Sequence, residues 1–316
     1  MGKIAFLFAG QGSQTPGMGK ELADNFKCAN DVFDEASAAL GFDIKDMIFN
    51  GDKETLMITE NTQPTIVTMS VAALRVLEEK GVKPDVVAGL SLGEYSAHVA
   101  SGSLDFSDAV KLVRKRGKYM QEEVPVGKGA MAAIIGLDAD TVRKVAGEAS
   151  ELGVCTGANF NCPGQIVVSG EVQAVQKCCE LAKEAGAKRA LMLDVSAPFH
   201  CSLLKGAGEK LAKELENVQI GDMSIPIITN VTADYIKDKN EIKSLLQKQV
   251  STSVLWEDTI RRMINDGVDT FIEIGPGKTL SGFVKKIDKT LNIFNVEDMA
   301  SLEKTLNGLN GGNENA

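Results

Sequence analysis

Short apolar runs alternate along this chain with longer amphipathic segments that are rich in alanine and charged residues. Short apolar runs bounded by turn residues predict buried strands, and apolar positions three or four residues apart predict helices. Their alternation is typical of an α/β protein, in which crossover helices connect the strands of a sheet. We predict strands at residues 3–9, 85–89, 225–230, 269–274 and 292–296.

The amphipathic segments between these runs predict the helices. The long segment 63–80 is apolar on nearly all sides, so we expect it to be buried. The predicted helices cover residues 18–26, 28–40, 63–80, 92–101, 105–123, 202–216, 239–250, 256–267, 277–288 and 300–309.

The rhythm changes between residues 127 and 197. The pattern there predicts a strand, a helix, two strands, a helix and a strand, which is the ferredoxin-like order. We therefore expect a ferredoxin-like small domain at 127–197, inserted into a discontinuous large α/β domain made of 1–126 and 198–316. Ligands commonly bind between domains, so a cleft is expected there.

Composition and charge narrow the function classes. The 316 residues are 44% hydrophobic, which is ample for a large core, and the net charge is −9. A chain this acidic repels nucleic acid overall, so we do not expect it to bind nucleic acid. The longest basic stretch is 111–118; at helical spacing it is either a solvated helix face or a contact for a phosphate or an acidic partner.

Cysteine usage and hydropathy point to the cytoplasm. None of the six cysteines has C-x-x-C spacing, so reduced thiols fit best, and two histidines without clustered cysteines offer no zinc site. The N-terminal apolar run lacks a signal-peptide cleavage pattern, and no apolar stretch is long enough to span a membrane. We expect a cytoplasmic protein that does not use a membrane.

The stretch GLSLG at 89–93 is the strongest local candidate for chemistry. G-x-S-x-G between a strand and a helix is the pattern of a nucleophile elbow, which exposes the serine oxygen at a strained turn. Ser91 would then be a nucleophile beside the amide donors of a helix start. The alternative is a helix cap, in which Ser91 and Glu94 form a capping box.

A nucleophilic serine needs a base, and the chain has only His98 and His200. His98 follows Ser91 by seven residues on one predicted helix, about 10 Å along its axis, so we interpret it as structural. His200 precedes a helix where the small domain returns to the large one, which favours a position in the cleft; a satisfied polar residue at a helix start is the alternative. Cys201 adjoins His200, and adjacent side chains seldom face one another.

Two other glycine-rich stretches imitate phosphate-binding motifs without completing them. In FAGQGSQT the third glycine of G-x-G-x-x-G falls at Thr15, and before Gly277-Lys278-Thr279 the first glycine of a phosphate loop falls at Ile272. We expect neither a dinucleotide nor a nucleotide site.

Six motifs together resemble the malonyl-CoA:acyl-carrier-protein transacylases, in order and spacing. The resemblance covers residues 3 to about 288, and it implies an α/β-hydrolase-like large domain with an inserted ferredoxin-like small domain. The motifs are FAGQGSQ at 8–14, GLSLGEYSA at 89–97, RG at 116–117, SAPFH at 196–200, QVSTSVLW at 249–256 and EIGPGKTL at 273–280.

The resemblance implies a role for each matching residue. Ser91 would be the acylated nucleophile, His200 its base, and Gln249 the residue whose main-chain carbonyl orients the imidazole. The backbone N–H groups of Gln11 and Leu92 would form the oxyanion hole. Arg116 would bind the free carboxylate of malonate, which a guanidinium matches bidentately, and Phe199 would disfavour branched acyl groups.

The implied reaction is ping-pong transfer of malonyl from malonyl-CoA to the phosphopantetheine thiol of acyl carrier protein, with release of CoA. It requires neither a metal nor another cofactor. Acyl carrier proteins are acidic, so we expect a local basic docking surface at Lys111, Arg114, Lys115 and Lys118, or at Lys188 and Arg189. We expect a monomer, and fatty-acid rather than polyketide synthesis, because no synthase domains are fused to the chain.

Three positions depart from the family's pattern. Leu90 stands where histidine is usual, Ser253 where proline is common, and His98 where an apolar residue is more familiar. Without proline, the loop that carries Gln249 would be less rigid. Two other functions stay open: a serine esterase or thioesterase that passes the acyl group to water, against which Arg116 argues, and an inactive carrier-binding scaffold.

Overall fold

The computed structural model describes residues 2–125, 127–195 and 197–311. Its strands are β1 (Lys3–Phe8), β2 (Val86–Gly89), β3 (Gly129–Ile135), β4 (Cys155–Cys162), β5 (Gln165–Glu171), β6 (Arg189–Met192), β7 (Val268–Ile274) and β8 (Asn292–Val296). Its α-helices are α1 (Lys20–Asn25), α2 (Lys27–Leu40), α3 (Ile44–Asn50), α4 (Lys53–Met57), α5 (Thr59–Glu79), α6 (Gly93–Ser101), α7 (Phe106–Glu123), α8 (Ala139–Ala149), α9 (Val172–Glu184), α10 (Lys205–Glu216), α11 (Ile242–Gln249), α12 (Trp256–Asn265), α13 (Thr279–Ile287) and α14 (Met299–Gly311).

A parallel four-stranded sheet, in the order β2-β1-β7-β8, forms the centre of one part of the molecule. β1, β2 and β7 are buried along most of their length because helices cover both faces, as is usual for parallel sheets. Helix α5 is buried from Thr59 to Leu77 with few exceptions, which confirms the expected burial for residues 63–77; residues 78–80 are exposed. The carboxyl ends of β1 and β2 therefore lie side by side.

The second sheet is antiparallel and has the order β4-β5-β3-β6, with α8 and α9 packed against it. Its core is a separate hydrophobic cluster drawn from Ala130 to Ala182. The elements follow one another in the predicted β-α-β-β-α-β order. The fold is thus mixed α/β, with one parallel and one antiparallel sheet.

On this basis we propose that residues 127–197 form the small domain and that 1–126 and 198–316 form the large one. Val126 and Ser196, which adjoin the proposed borders, lie outside the described residues, as do Met1 and residues 312–316.

The segment around Val254, which follows α11, pairs with the small sheet and so links it to the rest of the molecule. Val254 N–H donates to Ala158 O (2.8 Å) and Phe160 N–H donates to Val254 O (2.9 Å), so this segment pairs with the free edge of β4. Ser253 Oγ–H donates to Gly157 O (2.6 Å) beside it. The hydroxyl thus anchors the loop after Gln249 to the small sheet, so the absence of proline at 253 does not leave this loop unsupported.

The predicted strand at 225–230 is wrong. Ile227 and Ile228 form only isolated bridges, to Val87 and Tyr235, within the described ranges. Pro226 supplies a carbonyl to Val87 N–H but has no amide hydrogen of its own, so a continuous ladder cannot extend through it.

Helices α3 and α4 were not predicted. They have seven and five residues, too few to show a periodic pattern. Their N-caps are the usable signal, because the carboxylates of Asp43 and Asp52 accept hydrogen bonds from Asp46 N–H and Thr55 N–H. In the part of the chain that is described, no helix is long and apolar enough to cross a membrane.

Candidate active site

The GLSLG stretch forms a tight turn between β2 and α6. Ser91 has a φ of 52°, in the left-handed region that residues with a side chain rarely occupy. The two glycines are required because backbone passes close by: an added Cβ would lie 1.9 Å from Gly93 C at Gly89, and 2.1 Å from Phe8 O at Gly93. The turn therefore carries Ser91 beside the end of β1.

The hydroxyl of Ser91 contacts His200. Ser91 Oγ lies 2.7 Å from His200 Nε2, and the two side chains are 9% and 3% exposed. The side chain of Ser91 therefore does not cap α6, whose N-cap residue is Leu92 and whose start has no side-chain cap. The helix-cap interpretation of Ser91 does not describe this structure.

The other ring nitrogen of His200 fixes the tautomer. Nδ1 lies 2.8 Å from the backbone oxygen of Gln249, and a carbonyl only accepts hydrogen bonds, so Nδ1 carries the hydrogen. Nε2 is then free to accept the hydrogen of Ser91 Oγ–H. Gln249 ends α11, where backbone carbonyls have no partner within the helix and the helix dipole is negative.

Burial and, to a smaller extent, the charge of Arg116 lower the pKa of His200 to about 4, while the hydrogen bond to Gln249 O opposes this change. The imidazole is therefore neutral at physiological pH, as a general base must be.

Arg116 lies against the same hydroxyl. Helix α7 places it in the interior, 1% exposed, and its Nη2 donates to Ser91 Oγ at 3.3 Å and to Gln249 Oε1 at 3.0 Å. Nη1 donates to Gln63 Oε1 at 2.9 Å. In the described ranges it has no ion pair, and its Nε has no hydrogen-bond partner. The site thus holds a buried positive charge that only neutral oxygens contact directly, which suits an anionic ligand.

Of the other predicted site residues, Leu92 is fully buried at the start of α6, where amide N–H groups lack helical acceptors. Gln11 is exposed in the loop after β1, and a Cβ at its neighbour Gly10 would lie 2.7 Å from Leu90 O, so this loop touches the turn. Phe199 is half-buried and packs against the large hydrophobic cluster. The side chains of His98 and Cys201 form hydrogen bonds away from Ser91, to Ser103 Oγ and Pro198 O.

A cleft of about 710 Å³ reaches His200 from the side of the small sheet. Most of its wall consists of small residues with hydroxyl groups, which can donate and accept hydrogen bonds. The lining residues are Ser150, Gly153, Val154, Cys155, Thr156, Glu171, His200, Ser202, Ser251, Thr252 and Ser253.

Three polar residues of the site were missed as site residues: Gln63, Glu94 and Asn230. Glu94 was interpreted as a capping-box partner, yet its Oε2 accepts hydrogen bonds from Asn230 N–H and Gln249 Nε2, both at 2.9 Å. Burial raises its pKa to about 7, and these hydrogen bonds and the charge of Arg116 oppose that rise. The available signal was a polar residue within an apolar segment, where a buried polar group needs a partner.

Known acyltransferases resemble this chain over nearly its whole length. The acyl transferase domain model matches residues 5–307. A malonyl CoA-acyl carrier protein transacylase of Bacillus subtilis (strain 168) is 50% identical over 317 residues, which cover 100% of both chains.

Two solved structures are similar over nearly their whole length. The malonyl CoA-acyl carrier protein transacylase of Clostridium perfringens has a TM-score of 0.96 and 49% identity, with 98% of each chain covered. A malonyl-transacylase in complex with its holo type II PKS acyl-carrier protein has a TM-score of 0.94 and 43% identity, with 97% of this chain and 99% of that chain covered.

Proposed function

The chain belongs to the acyl transferase domain family, and from this premise we propose that it transfers malonyl from CoA to the phosphopantetheine thiol of acyl carrier protein through a malonyl-serine at Ser91. One observation carries the proposal. The hydroxyl that lies 2.7 Å from His200 Nε2 also lies 3.3 Å from a buried guanidinium that has no ion-pair partner among the described residues. A nucleophile and a receptor for a carboxylate thus meet at one oxygen.

In the first half-reaction, Ser91 Oγ attacks the thioester carbonyl of malonyl-CoA while His200 Nε2 takes its proton. The carbonyl oxygen becomes negative in the tetrahedral intermediate, and the N–H groups of Leu92 and Gln11 stabilise it. The C–S bond then breaks, His200 returns the proton to the leaving sulfur, and CoA departs from the malonyl-serine ester. The Nδ1–H···O bond to Gln249 keeps the imidazole in the tautomer that this step needs.

In the second half-reaction, the thiol of acyl carrier protein replaces CoA. His200 removes the thiol proton, the sulfur attacks the ester carbonyl, and the C–O bond to Ser91 breaks as the proton returns to Oγ. The product is malonyl-carrier and free enzyme. No metal or further cofactor enters either step.

Arg116 selects the acyl chain in this proposal. Gln63 and Gln249 hold the guanidinium through oxygens at 2.9 and 3.0 Å, so its plane is fixed before the ligand arrives. A malonyl carboxylate supplies the negative charge, whereas an acetyl group leaves the cation unpaired. Phe199, beside the base, limits room for a methyl branch.

The acidic carrier needs a basic surface. Lys111, Arg114, Lys115 and Lys118 each form an ion pair with an aspartate or glutamate. Lys188 and Arg189 are exposed and form no ion pair within the described ranges, and the exposed Leu191 and Met192 follow them on β6. We therefore propose that the carrier docks at Lys188 and Arg189. We also propose that the protein is a cytoplasmic monomer that acts in fatty-acid synthesis.

Intact-protein mass spectrometry tests the function. Incubation with malonyl-CoA should add one malonyl group to Ser91, and added holo acyl carrier protein should remove it and gain the same mass. Free malonate, with no lasting adduct and no loaded carrier, would identify a hydrolase instead. Absence of both transfer and hydrolysis would indicate an inactive carrier-binding scaffold.

A further inference from the structure

The left-handed turn at Ser91 is bridged by a single buried side chain. Asn230 is 0% exposed; its Oδ1 accepts Ser91 N–H at 2.5 Å and its Nδ2 donates to Gly89 O at 2.7 Å. Because one partner is a donor and the other an acceptor, the amide has one orientation that satisfies both. The backbone on both sides of Leu90 is thus hydrogen-bonded to the side-chain amide of Asn230.

Asn230 is in turn tied to Glu94. The backbone N–H of Asn230 donates to Glu94 Oε2, and the same oxygen accepts Gln249 Nε2, both at 2.9 Å. Glu94 is fully buried, and its other oxygen, Oε1, has no hydrogen-bond partner among the described residues. Because this one buried carboxylate accepts hydrogen bonds from both Asn230 and Gln249, it fixes the distance between these two residues.

Gln249 connects this pair to the reacting groups. Its Nε2 also donates to Ser91 O at 2.9 Å, its Oε1 accepts Arg116 Nη2, and its backbone oxygen accepts His200 Nδ1. Displacement of the Gln249 side chain would therefore disturb the nucleophile, the base and the carboxylate receptor together.

We propose that Asn230 and Glu94 are positioning residues that hold the Ser91 turn in its left-handed conformation and fix Gln249 against it. Neither needs to touch the substrate. The proposal rests on the acyl-transfer function proposed above, and it adds that the placement of the nucleophile depends on two residues outside the Ser91–His200 pair. Asn230 supplies the bond on each side of the turn, and Glu94 fixes the distance from the turn to Gln249.

The first test uses Asn230→Ala with Thr229→Val as matched control. Thr229 is the adjacent residue, is 1% exposed, and its hydroxyl bonds to Thr232 Oγ1 outside this network. We expect Asn230→Ala to lower kcat for malonyl transfer by about 10²-fold, since a misplacement of about 1 Å costs that much. KM for malonyl-CoA should stay within about threefold of the parent, because Arg116 remains. Thr229→Val should change neither.

A second readout needs no malonyl substrate. Phenylmethanesulfonyl fluoride forms a bond between Ser91 Oγ and sulfur as the S–F bond breaks, fluoride leaves and the serine proton passes to His200. Asn230→Ala should slow this labelling about as much as it slows transfer. If the parent is labelled yet transfers no malonyl, the proposed function fails while the positioning role is still measured.

Glu94 provides the rescue test. Glu94→Ala leaves two buried donors without an acceptor and should lower kcat and the labelling rate, whereas Glu94→Gln keeps an acceptor oxygen and should restore most of both. If Asn230→Ala fails to fold, Asn230→Asp replaces it in the test. Asn230→Asp retains the acceptor for Ser91 N–H and loses the donor to Gly89 O. A lower kcat and slower labelling in the folded Asn230→Asp variant would support the proposal.

The proposal is overturned if the folded Asn230 variants label and turn over at the parent rate, if only KM changes, or if Glu94→Gln is as impaired as Glu94→Ala. Equal losses in Thr229→Val would also overturn it, because they would show a general packing defect.

Discussion

The chain has two histidines, and each lies within hydrogen-bond distance of a serine hydroxyl. Ser91 Oγ is 2.7 Å from His200 Nε2, and Ser103 Oγ is 2.8 Å from His98 Nδ1. Burial lowers the pKa of both imidazoles to about 4. By the serine–histidine contact and the pKa of the base alone, the two pairs are nearly identical.

Their surroundings separate them. The second nitrogen of His200 is held by Gln249 O, and His200 lines the cleft, whereas Nε2 of His98 has no hydrogen-bond partner among the described residues. The Ser103 hydroxyl is shared with Ser101 Oγ and His98 O, and both members of this pair are 0% exposed. A substrate therefore cannot reach the Ser103 pair. Access, an oriented base and a neighbouring cation distinguish a reactive pair from a packed one.

The serines give the largest expected difference. Ser91→Ala should lower malonyl transfer by at least about 10³-fold and remove the mass adduct, since no other group forms the ester. Ser103→Ala should keep the transfer rate within about threefold of the parent. Transfer of labelled malonyl to the carrier measures both. A normal adduct on Ser91→Ala would show that the nucleophile lies elsewhere.

The guanidinium beside Ser91 gives the next largest effect. Arg116→Ala should reduce kcat/KM for malonyl-CoA by about 10²-fold and that for acetyl-CoA much less, because only malonyl carries a carboxylate to pair with it. Arg114→Ala is the matched control: it lies on the same helix, but its side chain bonds to Glu60. Equal losses for both acyl groups would mean that Arg116 does not recognise the carboxylate.

The smallest effect on transfer is expected at His98, which instead contributes to the pH dependence of stability. A histidine that is neutral in the folded protein gains a proton on unfolding when the pH is below its ordinary pKa of 6.5. Its contribution to the free energy of unfolding is therefore complete above pH 6.5 and is lost as the pH falls toward 4. For His98 this amounts to about 3 kcal/mol across that window. His98→Gln should flatten the urea-unfolding free energy between pH 6.5 and 4 while transfer continues.

His200→Gln should flatten the same curve and also stop transfer. The transfer rate, rather than the pH dependence of stability, therefore distinguishes the two histidines. A curve for His98→Gln that runs parallel to the parent would show that the pKa of His98 is the same in the folded and unfolded protein.

Local patterns in the sequence determined much of the fold. Apolar runs and helical periodicity located β1, β2, β7 and β8 and the β-α-β-β-α-β order between residues 127 and 197, because these signals depend on neighbours within a few residues. The same local signal failed for the short helices α3 and α4 and for the segment around Pro226, where pairing depends on a distant strand.

In the sequence, glycine spacing and the scarcity of histidine pointed to Ser91 and His200, whereas Gln249 and Arg116 followed from the resemblance to the family's motifs. The tertiary structure alone brought Ser91 and His200 together across 109 positions and enclosed His98 with Ser103. It also placed Asn230 and Glu94 around the turn. Side-chain contacts between distant segments are fixed by the order of strands and the packing of helices, which no short window of sequence contains.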